Sequence, residues 1–411
     1  MLTYGSRGDV QPFLALAVGM KNAGYEVKIA APHRFGEWVQ KYGIPFIPLA
    51  GDPEVISQRL NEAGQNPLAM VDAMMTYVVS IADQVIQQSY EACKDTDLIV
   101  HSFLFTTGAH SFARTLGIPD ISLQTFPIFA PTKQIAPVFL PRVKIGWLRY
   151  FLHWLAMQIF WYAGNMGYRK ILREHPDLPT IKLHWPFSNE KNFHKSPLIF
   201  AFSPKVIPRA PEWNLEHIYI SGYLFLENET ATLSKALLEF INQGDAPICI
   251  SFGSMIHRSL PGIIQTILQG CKESEKRVVL LSGWEEINLP ASDQNIFTAK
   301  EAPHEQLFPK CSLIIHHGGA GTTAAALRAG VPSLVIPFGA DQLYWGLRVN
   351  ELGIGPAPIR ENKVTVDRII KAIEFSSRVN IREQGKIFSE GLRGENGVEQ
   401  AIRIIESKIK K

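Results

Sequence analysis

Residues 312–326 read SLIIHHGGAGTTAAA: an apolar run, two histidines, three glycines around an alanine, two threonines, then strong helix formers. Glycines at Gly318, Gly319 and Gly321 let main-chain N–H groups close on an anion, and a helix beginning there adds unpaired donors and the positive end of its dipole. The chemistry predicted is phosphate binding. His316, at the strand end, can donate a ring N–H to a phosphate oxygen, while Thr322 or Thr323 can cap the helix or bond phosphate through its hydroxyl. A tight structural turn is the competing reading. Gly253 and Ser254, in SFGS after PICI, can offer an amide and a hydroxyl to the same diphosphate from a neighbouring strand. Asp341 and Gln342, in PFGADQ after SLVI, combine acceptors with an amide donor, which suits adjacent sugar hydroxyls; a solvated loop is the plainer alternative.

Such residues need strands to carry them. Short apolar runs bounded by Gly, Pro and Asp alternate with helical spacing along all 411 residues, so the fold class is α/β, with parallel sheets wrapped by helices. Strands are expected at Tyr25–Ala30, Pro45–Leu49, Asp97–Phe103, Asp120–Thr125, Leu198–Phe202 and Ile218–Tyr223. The second half repeats the scheme at Pro247–Phe252, Arg277–Ser282, Asn295–Ala299, Ser312–His316 and Ser333–Pro337. The expected organisation is a domain over 1–226, a polar linker over 227–245, a second domain over 246–395 and a terminal helix over 396–411. Val398, Ala401, Ile402, Ile405 and Ile409 give that helix one apolar face, with the first domain as candidate host. Ligands of such sheets sit at the carboxyl ends of strands. Only Met1–Tyr4 precede Gly5, which is short for a central first strand and predicts an earlier start or a clipped end.

The chain has 41 Lys+Arg against 38 Asp+Glu and a net charge of +3, without a long basic run, so nucleic acid is not indicated as a partner. A hydrophobic share of 46% with 19% charged residues argues against disorder. Cys93, Cys249, Cys271 and Cys311 form no CxxC pair, and no leader is recognisable, which predicts a reducing, cytoplasmic setting. One segment stands apart. From Pro141 to Arg173 there are six basic residues and no acidic one, around an aromatic core, Tyr150–Tyr168, without formal charge. Three readings compete: a core helix, an apolar lid over the acceptor, and an embedded membrane helix; the basic flanks favour peripheral contact with anionic headgroups over spanning.

In order, SFGS and APHEQLFPKCSLIIHHGGAGTTAAALRAGVPSLVIPFGADQLYWG resemble the nucleotide-sugar signature of family 1 glycosyltransferases of the GT-B fold, which have two facing Rossmann-like domains. GSRGDVQPFLALA narrows the resemblance to the branch of sterol 3-beta-glucosyltransferases and bacterial enzymes that glycosylate antibiotics and lipids. The resemblance implies that His316 contacts the diphosphate of a UDP-sugar, that the backbone of Gly318, Gly321 and Thr322 with Ser254 surrounds the phosphates, and that Asp341 and Gln342 meet sugar hydroxyls. It departs from plant members at Glu301, where they carry a base-stacking Trp, at His304, where they carry Gln, and at Trp345, where they carry Asn. Trp284, in LLSGWEE after a strand, is a candidate to stack on the base, with an ordinary core role as the alternative.

Plant members use a His after the first strand as base; Gly5–Asp9 stands there in this chain, and the branch resemblance makes Asp9 the base. The alternative is that Asp9 caps a helix beginning near Gln11 and Pro12. His101 falls where plant enzymes place the Asp partner of their His, so a reversed pair of Asp9 and His101 is one reading and a hydrogen-bonded strand-end histidine the other. Asp95-Thr96-Asp97 has the form of a metal motif of a different glycosyltransferase fold, but it precedes a strand at the amino end of the sheet, and no metal is expected. The expected activity is inverting, metal-independent transfer of a sugar, glucose by preference, from UDP to a hydroxyl of a hydrophobic acceptor such as a sterol, terpenoid, lipid or polyketide-like molecule. The alternatives are a UDP-sugar epimerase of similar fold and a non-catalytic lipid or sterol carrier.

Overall fold

The computed structural model describes residues 1–55, 58–59, 67–138, 142–187, 196–227, 232–253, 257–283 and 293–409. The chain forms two compact units, Met1–Glu227 with Asn396–Lys411, and Asn228–Glu395.

The first unit carries β1 (Ile29–Pro32), β2 (Phe46–Leu49), β3 (Ile99–His101), β4 (Asp120–Gln124), β5 (Leu198–Phe200) and β6 (Ile218–Ile220), all in parallel pairings. Between β1 and β3 runs the first segment of the chain. The Leu2 N–H donates to the Val100 carbonyl at 2.8 Å and the Thr3 N–H to the Ala30 carbonyl at 3.1 Å, so Met1–Thr3 holds the central place despite its length. From that centre the sheet grows through β1 to β2 on one side and through β3 to β6 on the other.

The second unit carries β7 (Ile248–Ser251), β8 (Val278–Leu281), β9 (Ile296–Ala299), β10 (Leu313–His316) and β11 (Ser333–Val335), in the parallel order β11-β10-β7-β8-β9. β7, β8 and β10 are buried along their whole length, which is why they read as unbroken apolar runs. All eleven strands overlap runs expected from sequence. β1 begins four residues late, because its pairing with β2 starts only at Ile29 opposite Phe46. In each unit the direction of growth reverses beside one strand, Met1–Thr3 against β3 and β7 against β10, and such reversal points open a crevice at the carboxyl ends.

The helix Arg7–Asn22 starts earlier than the expected Gln11, because Ser6 and Asp9 form a capping box and Pro12 falls inside the helix. The terminal helix, Gly397–Ile409, packs on it within the first unit. Ala401, Ile404 and Ile405 share a buried cluster with Val10, Phe13 and Leu14, and the Tyr25 hydroxyl donates to Glu406 at 2.8 Å. Gly146–Glu174 buries His153, Met157 and Ile171 along one side.

Candidate functional site

In the second unit, β10 ends in His316 and the chain turns through Gly318 and Gly319 into the helix Ala320–Ala329. Gly318 has φ +96°, and a Cβ there would lie 2.6 Å from Val335 and 2.8 Å from the Gln342 carbonyl, so only glycine fits the turn. Gly319 is the N-cap and brings no side chain of its own, and among the described residues no side chain accepts from the helix's first amides. A Cβ on Gly321, in that first turn, would meet nothing within 4 Å. Thr323 is buried and its hydroxyl donates back to the Gly319 carbonyl at 2.9 Å, whereas Thr322 is half-buried. Gly253, φ +60°, stands two residues beyond the end of the neighbouring β7.

The two histidines are placed differently. His316 is wholly buried on the strand; its Nδ1 accepts the Gly318 N–H at 3.1 Å, and its Nε2 is buried without a hydrogen-bond partner among the described residues. Burial first, then the His317 and His304 charges, pushes its pKa well below the ordinary 6.5. His317 is half-buried just beyond the strand, and burial pushes it down to about 4. Its Cε1 lies 3.6 Å from where a Cβ of Gly253 would stand, and its Nε2 2.6 Å from that of Gly319, so the ring bridges the two glycine turns. Its Nδ1 is buried without a hydrogen-bond partner among the described residues. Sequence reasoning passed over it; the available signal was that it is the first residue beyond an apolar strand and the last before the glycine turn.

Asp341 and Gln342 begin the helix Gln342–Glu351. Asp341 Oδ2 accepts the indole N–H of the fully buried Trp345 at 2.7 Å, and Gln342 Oε1 accepts the amides of Phe338 at 2.7 Å and Gly339 at 3.2 Å. One oxygen of each is therefore committed to fixing this loop. His304 stacks on Phe308 at 4.3 Å between ring centroids. Ser254 and Trp284 lie outside the described residues.

In the first unit, Asp9 Oδ2 accepts the Ser6 N–H at 2.7 Å and the Ser6 hydroxyl at 3.0 Å. Burial raises its pKa above the ordinary 3.8 and the Ser6 hydrogen bonds oppose that rise. The carboxylate is thus both a cap and a base made stronger by desolvation. Oδ1 enters no hydrogen bond among the described residues.

His101 does not pair with Asp9. Its Nε2 meets Asp120 on the adjacent strand at 3.1 Å, because residues 101 and 120 sit on one face of the β3–β4 pair. His110, from the helix Thr106–Leu116, brings Nδ1 to Asp120 at 3.0 Å, and the Ser196 hydroxyl donates to the same carboxylate. All four residues are buried. Burial alone would raise the Asp120 pKa, but hydrogen bonds and charge from His101 and His110 hold it well below the usual range. Asp120 escaped sequence reasoning; an acid at the head of the strand DISLQ was the available sign. Asp95 and Asp97 stand before β3, where the Thr96 hydroxyl donates to the Cys93 carbonyl at 2.7 Å.

Aromatic rings gather after β3 and β4. Phe129 is the hub, 5.6 Å from Phe103, 4.8 Å from Phe160 and 4.5 Å from Phe187, with Phe126 against Phe103. Phe160 belongs to the helix Gly146–Glu174, so that helix presents an aromatic wall inward.

A solved glycosyltransferase of kitacinnamycin superposes with a TM-score of 0.71 at 20% identity, over 100% of this chain and 98% of its own. The Streptomyces sp. SF2575 glycosyltransferase complexed with thymidine diphosphate does so with a TM-score of 0.62 at 18% identity, over 99% and 98%. The chain has the GT-B glycosyltransferase fold. Both ends of this GT-B chain match family descriptions: residues 1–130 the glycosyltransferase family 28 N-terminal domain, and residues 273–386 the erythromycin biosynthesis protein CIII-like C-terminal domain. Among curated proteins, the sterol 3-beta-glucosyltransferase of Debaryomyces hansenii is 30% identical over 98% of this chain and that of Arabidopsis thaliana 29% over 98%. The chain spans 26% of the fungal relative's length and 66% of the plant relative's.

Proposed function

We propose that this GT-B protein is an inverting, metal-independent glycosyltransferase that moves glucose from UDP-glucose to a hydroxyl of a hydrophobic acceptor of the sterol, terpenoid or lipid class. The observation that carries the reading is the uncapped start of Ala320–Ala329 at the β7/β10 reversal, with Gly321 open in its first turn. Amides there take the diphosphate, and His317, bridging the two glycine turns, donates to it. His316 serves that site from behind, by fixing Gly318. Asp341 and Gln342, fixed at the start of Gln342–Glu351, meet the sugar hydroxyls.

Asp9 takes the proton of the acceptor hydroxyl. The oxygen attacks the anomeric carbon opposite the diphosphate, which leaves carrying the bond's electrons, and a single displacement inverts that centre. Negative charge arriving on the departing phosphate is met by the helix amides, which are already oriented. The aromatic group around Phe129 supplies apolar surface for the acceptor. Four free, buried cysteines suit work in a reducing compartment.

Asp9→Asn tests the assignment. Turnover, followed by mass spectrometry of the glucosylated product, is expected to fall by roughly 10²–10⁴-fold. UDP affinity by calorimetry should stay at the wild-type value. Near wild-type turnover in the variant would remove Asp9 from the chemistry.

A further inference from the structure

The helix Gly146–Glu174 buries one side and leaves large apolar side chains exposed on the other. On the outer side stand Trp147, Phe151, Trp154, Ile159, Tyr162 and Met166, with Trp147, Tyr162 and Met166 between 63% and 72% exposed. At 1.5 Å per residue the strip from 147 to 166 is about 29 Å long. Large side chains in a continuous exposed strip mark an interaction surface rather than ordinary surface scatter.

Charge identifies the occupant. Residues 121–173 contain seven Lys and Arg and no Asp or Glu. Of these, Arg142 and Lys144 are exposed just before the helix, and Arg169, Lys170 and Arg173 are exposed in its last turns. Arg149 is used internally, on the carbonyls of Val143 and Gln134. The strip is thus apolar and aromatic in its middle and cationic at both ends. That is the pattern of a helix lying in a headgroup layer, with Trp and Tyr at the acyl boundary and Lys and Arg against anionic lipid. Among the described residues no helix is long and apolar enough to cross a membrane.

We propose that the outer face of Gly146–Glu174 docks the protein flat on the surface of an anionic lipid bilayer. The same helix turns Phe160 inward against Phe103 and Phe129, so the docked face and the aromatic acceptor region share one rigid element. Docking stands without the proposed transfer; only the delivery of acceptor from the bilayer to that region rests on it.

The test is flotation with vesicles of phosphatidylcholine, alone or mixed with phosphatidylglycerol. The full chain should float with the mixed vesicles at low salt, bind them at least about tenfold more weakly in high salt, and ignore the neutral ones. The triple variant Trp147→Ser, Phe151→Ser, Trp154→Ser should lose flotation by about tenfold or more while keeping its melting temperature and UDP affinity. Brominated acyl chains should quench tryptophan fluorescence in wild type and less in the variant. Absence of flotation with anionic vesicles at low salt would overturn the proposal, as would equal flotation of the variant. It would also be overturned if the face proved to join two copies of the chain, seen as a dimer in sedimentation that the variant abolishes and vesicles leave intact. Turnover on a detergent-soluble acceptor, unchanged in the triple variant, separates failure of docking from failure of the proposed transfer.

Discussion

At the end of β10 the candidate site is built of main-chain amides, because Gly318 and Gly319 turn the chain into a helix whose N-cap carries no side chain. In the first unit the comparable region is made of side chains: Asp9 fastened to Ser6, and Asp120 fastened by His101, His110 and Ser196. The two constructions fail in opposite ways. A site of backbone is damaged by adding atoms, since a Cβ occupies the space reserved for the ligand or the turn. A network of buried side chains is damaged by removing atoms, since each lost partner leaves a desolvated polar group unpaired.

The largest effect is therefore expected from Asp120→Ala, which leaves two imidazoles and a hydroxyl buried without their shared acceptor. A loss of about 3–5 kcal/mol in denaturant unfolding is expected, as for breaking a buried ion pair. A loss below about 1 kcal/mol would mean that water enters the network and that the contrast drawn above is false.

Next comes a pair of added methyl groups. Gly318→Ala meets Val335 and the Gln342 carbonyl at a positive φ, and should cost about 1–3 kcal/mol as well as UDP affinity. Gly321→Ala meets no protein atom within 4 Å and replaces glycine in a helix, so stability should hold or rise by up to about 1 kcal/mol while UDP affinity falls. Calorimetry of both variants sharpens the comparison. If Gly321→Ala bound UDP normally, the open first turn would not be a phosphate site.

Acid should separate β7 and β10 from β3 and β4 with the mildest perturbation. His316 and His317 have folded pKa values below the ordinary 6.5, the latter about 4, so the unfolded chain binds more protons between these values and stability of the second unit falls as pH drops through 6.5. Asp120 has a folded pKa below the ordinary 3.8, so its contribution persists above that value and is lost only as pH falls further, through the folded pKa. Hydrogen exchange at successive pH values should show amides of β7 and β10 loosening before those of β3 and β4. The reverse order would break the assignment.

Much of the fold was legible. Fully buried parallel strands such as ICIS, VVLL and LIIH announce themselves as unbroken apolar runs, and a glycine turn running into alanines announces a helix start. Asp9 was legible as a choice between cap and base, and the structure shows it as a cap whose burial raises its pKa. The partner of His101 was not, because Asp120 is separated from it by a helix, and Ser196 lies 76 residues beyond Asp120. Nor was the different placement of His316 and His317, which depends on where β10 stops.

The sequence by itself determined the two α/β halves, their strands and the backbone-built turn at 316–321, since apolar runs and glycine spacing act over a few neighbouring residues. Tertiary structure alone decided which histidine leaves the sheet, which residues satisfy Asp120, and which side of Gly146–Glu174 faces outward. The reason is physical: a buried polar atom must find its partner wherever the fold brings one, and distance along the chain does not record which face of a helix has been covered.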